Sequence, residues 1–353
     1  MALAPLTRLS TDTFETVKIF RHLASASRAL AELKGLAASM SNQEILLNTL
    51  AMQEAKDSSE IENIVTTHDE LFKEDAFPDA SNPAAKEVRH YIQALSVGAA
   101  RLRKHGLITA NDIIDIQTEL ERNRAGLRKL PGTALKDGMG NTLYTPPQEP
   151  DEVIALMTDL EAFINDDERF DADPLVKMAI IHHQFESIHP FYDGNGRTGR
   201  IVNVLYLMQQ ALLDVPVLYL SRHINRNKAE YYRLLQAVRE TGAWEAWVCF
   251  MLGAVEHTAR HTTDTVTLIR DAVLDAKHRI RANHKFYSQD LINSLFKHPY
   301  TKIEFIENDL KVSRLTATKY LDALCDDGFL EKHKLGRSNY YVNLTLNRIL
   351  TRA

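Results

Sequence analysis

His189-Pro190-Phe191-Tyr192-Asp193-Gly194-Asn195-Gly196-Arg197-Thr198-Gly199-Arg200 decides how the rest of the chain is read. Within twelve residues lie a base, a carboxylate, a glycine turn and two guanidinium groups. An apolar helical pattern (Ile201, Val202, Val204, Leu205, Leu207) follows at once. The first backbone N–H groups of a helix have no partner inside it, so a Gly-Asn-Gly turn entering a helix can aim them at phosphate oxygens. Gly194 and Gly196 allow close approach and positive φ. Arg197 and Arg200 present planar forks that match phosphate bidentately. Asp193 supplies one carboxylate, which is what Mg²⁺ takes when a nucleotide provides its other ligands. His189, just upstream, has the side chain that titrates nearest neutrality and is the natural general base.

The stretch resembles the motif of the Fic family, His-x-Phe-x-Asp/Glu-Gly-Asn-Gly-Arg-x-x-Arg, and every fixed position is filled. The resemblance covers roughly residues 40 to 260. It implies a mainly α fold: a helical Fic core with a short β-hairpin flap, followed here by a small winged-helix domain. The implied reaction is transfer of AMP from ATP to a Tyr, Thr or Ser hydroxyl of a protein, with pyrophosphate released. His189 would be the base, Asp193 the Mg²⁺ ligand, Gly194, Asn195 and Gly196 the charge-stabilising turn, and Arg197 and Arg200 the β- and γ-phosphate contacts. Phe191 is read as a packing anchor.

Composition sets the frame. The 353 residues are 44% hydrophobic and 25% charged, enough for more than one domain. Cys249 and Cys325, both in apolar helical patterns, make a disulfide framework improbable and point to a reducing, cytoplasmic setting. No apolar run approaches the ~18 residues of a membrane span, and a net charge of −5 argues against wholesale nucleic-acid binding.

Upstream of the motif, apolar spacing predicts helices over about 20–40, 43–64, 85–105 and 110–123, with a loop from Phe77 to Pro83. The second carries Ser58-Ser59-Glu60-Ile61-Glu62-Asn63, in which Ser58 and Glu62 share a helix face. This looks like the inhibitory motif of one class of Fic proteins, Ser/Thr-x-x-x-Glu-Gly/Asn. A Glu62 carboxylate on Arg200 would take the arginine that the γ-phosphate needs. Next, Asp137-Gly138 and Gly140-Asn141 are turn dipeptides that predict a hairpin over 133–145, the place of the flap that holds the target segment by strand addition. Asp173-Pro174 reads as cap and first residue of the helix that delivers the motif. His182 and His183 lack a nearby cysteine and suitable spacing to His189, so they read as packing residues. Val217 to Ser221 reads as an extended connector.

In similar Fic proteins one tyrosine of a pair and a residue about eight positions later enclose adenine. The matching positions are Tyr231, beside Tyr232, and Arg239, where relatives carry asparagine. Tyr231 is read either as the adenine contact or as a core residue, and Tyr232 is the expected core residue. The expected division is an N-terminal helical region over 1–110, a Fic core over 111–262, a helical connector over 263–290 and a winged helix-turn-helix over 291–353.

From residue 291 on, 10 Lys and Arg stand against 7 Asp and Glu, a modest excess for a DNA reader. Arg314, Lys319, Lys332, Lys334 and Arg337 are the candidate phosphate contacts there. A protein-interaction or dimerisation role is expected ahead of DNA. The expected partners are a hydroxyl-bearing protein segment at the flap and the chain itself as a self-modification target. The competing readings are a nucleotide-sensing transcriptional regulator, and a Fic enzyme that transfers another group or removes AMP.

Overall fold

A computed structural model describes residues 3–40, 42–67, 70–71, 82–136, 138–335 and 338–352. Most of the loop expected from Phe77 to Pro83, together with Asp137 and Arg337, lies outside the described residues. The described chain is mainly helical with two small antiparallel sheets.

In order, it runs through α1 (Val17–Ser39), α2 (Glu44–Ile61), α3 (Pro83–His105), α4 (Ala110–Glu121), β1 (Leu135–Lys136), β2 (Thr142–Tyr144), α5 (Pro150–Asn165), α6 (Pro174–Ile188) and α7 (Asn195–Gln209). It continues with α8 (Ser221–Arg226), α9 (Lys228–Thr241), α10 (Trp244–Asn283), α11 (Gln289–Lys297), β3 (Tyr300–Thr301), α12 (Ile303–Leu310), α13 (Arg314–Asp326), β4 (Leu330–Leu335), β5 (Ser338–Asn343) and α14 (Leu344–Arg352).

The two helices flanking the motif form the centre. Every residue of α6 from Leu175 to Ile188 is buried, as is most of α7, and a helix buried all round can only be internal. Asp173 caps α6 by accepting the Leu175 N–H at 2.8 Å, with Pro174 in the first turn, as its sequence implies. α4 starts with a reciprocal capping box between Thr109 and Asp112. Around this pair pack α3, α4, α5 and α10, and α1 lies along α10 in the most extensive helix pair.

The flap pairs Leu135 with Tyr144 and Lys136 with Thr142. The C-terminal sheet has order β3-β5-β4; α13 packs on β4, and α11, α12 and α13 pack in succession. Two elements escaped the periodicity. Ser221, expected at the end of an extended connector, starts α8, and the tail after Asn343 forms α14, which packs on α10. The Gln53 side chain on α2 donates to the Leu350 carbonyl at 2.9 Å, so the end of the chain touches the outer side of α2.

Candidate functional site

The site is built where α6 ends. His189 is the residue after its last turn and adopts a left-handed conformation (φ 49°), its N–H closing the helix onto the Phe185 carbonyl at 2.9 Å. A non-glycine residue holds such a conformation only when its surroundings fix it. Arg128 does so. Its guanidinium donates to the carbonyls of His189 (2.8 Å), Ile188 (3.2 Å) and Pro147, while its own N–H donates to Pro190 at 2.9 Å. Burial, with the Arg239 and Arg128 cations nearby, lowers the His189 pKa to about 4, so the imidazole is neutral at physiological pH.

The next six residues fold into a concave turn. Phe191 is fully buried. Asn195 braces the loop from within: its Oδ1 accepts the Phe191 N–H at 2.8 Å and its Nδ2 donates to the Phe191 carbonyl at 2.9 Å. Its side-chain amide is therefore bonded to the backbone on both sides. Gly194 (φ 76°) is the N-cap of α7, with no side chain capping the helix start. Asp193 is exposed, and its Oδ1 accepts the Gly194 N–H at 2.7 Å.

Both arginines face into this turn and both are already paired. Arg200 is 2% exposed; it donates to Ser58 Oγ at 2.8 Å, to the Ser58 carbonyl at 2.9 Å and to Glu62 Oε1 at 2.9 Å. Burial works against the Arg200 cation, but the Glu62 carboxylate, with Tyr231, Tyr91 and Glu186, raises its pKa. Arg197 lies 2.8 Å from Glu121 and 3.4 Å from Glu87. A Cβ on Gly196 would collide with Glu62 Oε1, and one on Gly194 with Glu121 Oε1. Each glycine thus has a carboxylate oxygen seated on it.

α2 brings Ser58 and Glu62 here through a stripe at four-residue spacing, of which Glu54 is the third member. Glu54 is buried, takes hydrogen bonds from Tyr91 and Ser221, and burial pushes its pKa up to about 8. Beyond the helix Asn63 turns left-handed (φ 64°), and Lys228 donates to the Ile61 carbonyl at 2.5 Å. The helix end is tied down just where Glu62 leaves it.

The structure corrects the reading of Tyr232, expected in the core. Tyr231 is 2% exposed, its hydroxyl 2.8 Å from His182 Nε2 and its ring packed near Trp247 and Phe250, whereas Tyr232 is 44% exposed. Helix register is the cause: Tyr231 shares the buried face of α9 with Leu234, Leu235 and Val238, and its neighbour points the other way. Arg239 donates to Ser187 Oγ at 2.9 Å and to the Glu186 carbonyl at 3.1 Å, and lies 4.0 Å from the Tyr144 ring centroid. It joins the end of α6 to the flap. The Tyr144 hydroxyl adds a 2.9 Å bond to the Ser187 carbonyl.

His182 and His183 are buried among aromatic rings. Among the described residues no three or more His, Cys, Asp or Glu side chains converge as a metal cage, and no helix is long and apolar enough to cross a membrane. In the C-terminal module, Arg314 lies 3.5 Å from Glu304 and Glu307 and Lys332 lies 2.8 Å from Asp322. Lys319 and Lys334 are exposed.

Arg128, Glu121 and Glu87 carried no signal in the sequence. Their roles come from long-range approach: Arg128 meets a helix end 60 residues away, and Glu121 meets Arg197 from a separate helix.

Comparison with known proteins gives the family. A model described as Fic/DOC family N-terminal matches residues 20–100, and one described as Fic/DOC family matches 107–207. A third, for the C-terminal domain of protein adenylyltransferase SoFic-like, matches 273–346. The chain is similar to the protein adenylyltransferase Fic of Aedes aegypti, 29% identical over 155 residues, which are 43% of this chain and 30% of that protein. It is similar to protein adenylyltransferase fic-1 of Caenorhabditis elegans, 29% identical over 157 residues, 42% of this chain and 29% of that one. These matches span less than a third of the relatives' length. In fold the chain resembles a Fic family protein from Desulfovibrio desulfuricans G20 (TM-score 0.58, 22% identity, 93% of this chain and 96% of that one). It also resembles Fic-1 from C. elegans (TM-score 0.53, 20% identity, 68% and 71% coverage). With two Fic/DOC models matching successive stretches across the helical core and the complete motif at its centre, this chain belongs to the Fic/DOC family.

Proposed function

We propose that the protein is an adenylyltransferase that moves AMP from ATP to a Tyr, Thr or Ser hydroxyl of a protein, itself included, and that Glu62 holds it inactive. The 2.9 Å pair between Glu62 and Arg200 carries this reading. A buried guanidinium facing an open glycine turn is an anion subsite, and an internal carboxylate sits in it.

In the reaction the substrate hydroxyl oxygen attacks the α-phosphorus while its proton passes to His189. An O–P bond forms, the bond from that phosphorus to the bridging oxygen breaks, and pyrophosphate leaves. Arg128 keeps His189 aimed at that point. The N–H groups at the start of α7 and the two freed arginines take up charge on the phosphates. Asp193 fits Mg²⁺: an exposed single carboxylate beside the turn, leaving the remaining positions to nucleotide and water. The ion would neutralise phosphate charge. The target segment is held by the flap, where Leu143 and Met139 are exposed.

The test is incubation of Glu62→Gly protein with α-labelled ATP and Mg²⁺, alone and with lysate, followed by mass spectrometry. AMP on protein hydroxyls is expected, with little on wild type and a loss of about 10²–10⁴ in rate when His189→Ala is added. Label from γ-labelled ATP instead would turn the reading to phosphoryl transfer.

A further inference from the structure

The first arginine of the motif is blocked as well as the second. Glu121 is the last residue of α4, its side chain 14% exposed, with Oε1 2.8 Å from Arg197 and seated against Gly194. Only Arg197 and the start of α7 favour an anion at that position. The C-terminal end of a helix is the negative end of its dipole. Burial and the nearby Asp193, Glu87 and Glu62 raise the Glu121 pKa, and the Arg197 guanidinium opposes them. A carboxylate held in such surroundings stays there because of its pairing with Arg197, and would be displaced by a better anion.

Glu62 and Glu121 therefore occupy the turn in parallel. One oxygen lies over Gly196 beside Arg200, the other over Gly194 beside Arg197. We propose that these are two anion subsites for a diphosphate group, and that Glu121 is a second internal ligand, independent of α2, which nucleotide must displace from Arg197. The proposal rests on the turn being a phosphate cradle. Its consequence is that releasing α2 opens only half of the site.

The probe is inorganic pyrophosphate with Mg²⁺, titrated calorimetrically into wild type, Glu62→Gly, Glu121→Gln and the double variant. Adenosine serves as a phosphate-free control. Glu121→Gln is isosteric, and thermal melts check that each variant folds. In the Glu62→Gly background, Glu121→Gln should tighten pyrophosphate by about five- to a hundredfold, the range in which removing a competing state is felt, with adenosine unchanged. Glu87→Gln removes a charge 3.4 Å from Arg197 without uncovering a glycine, and should have a much smaller effect. Unchanged or weaker pyrophosphate binding in Glu121→Gln would make Glu121 a structural brace and overturn the proposal. An equal gain in Glu87→Gln would reduce it to long-range charge and overturn it too. If the double variant binds neither pyrophosphate nor ATP, the phosphate cradle itself fails and the proposal goes with it.

Discussion

His189 acquires its chemistry from its neighbours. An imidazole in water is half protonated near pH 6.5 and would lose base strength through the mildly acidic range. Here burial, Arg239 and Arg128 lower that point to about 4. Glu62 works in the opposite direction, so replacing it moves the value further down. The transfer rate of the Glu62→Gly protein should therefore stay level from about pH 8 to pH 5.5 and drop only on approach to the His189 pKa. A self-modification time course across that range, with nucleotide saturating, measures it; a midpoint near 6.5 would show that the base is solvated as in a free histidine. Arg128 shows the same dependence on context. Three carbonyls from two segments converge on its guanidinium, and no local pattern in the sequence marks it.

At the scale of an element, α2 is a helix with a polar inner stripe, buried at Glu54 and Ser58 and exposed at Glu62, its C-cap. Glu54, Ser58 and Glu62 replace the apolar residues that usually fill such a stripe, and each finds a partner on α3, α7 or α8. The helix is thereby registered along its length rather than merely packed. Its exit depends on Asn63 being left-handed, a conformation that asparagine and glycine tolerate and β-branched residues do not. Asn63→Val should cost about 1–2 kcal/mol locally and displace the Glu62 carboxylate. The expected result is self-modification above wild type and below Glu62→Gly, with Asn63→Gly close to wild type. Activity of Asn63→Val equal to wild type would mean that the turn after α2 does not position Glu62.

Across the whole molecule, buried titratable groups set how stability depends on pH. His182 and His183 are lowered to about 3 and His223 to about 4, mainly by burial. Unfolding lets them bind protons, so stability is lost as pH falls below their unfolded value near 6.5. Glu54 is raised to about 8 and Glu186 to about 7, and unfolding lets them release protons. Their contribution is complete below about 4.5 and disappears as pH rises through 7 and 8. Calorimetric melting should thus give a maximum near pH 6.5 and a lower Tm at pH 8.5. A Tm that climbs steadily to pH 8.5 would mean that both carboxyls ionise freely in the folded state. Most of the helices, though not α8 and α14, the hairpin, the capped start of α6 and the motif were legible in the sequence because periodicity, caps and turn residues act over a few residues. The pairing of Glu62 with Arg200 was legible only through family resemblance, and that Ser58 also accepts from Arg200 was not legible at all. Which tyrosine of the Tyr231-Tyr232 pair is buried, what holds His189 left-handed, and the second carboxylate on Arg197 were decided by tertiary structure alone. Each depends on which surface a helix turns toward a partner far away in the chain, and that choice is made by the packing of the whole core.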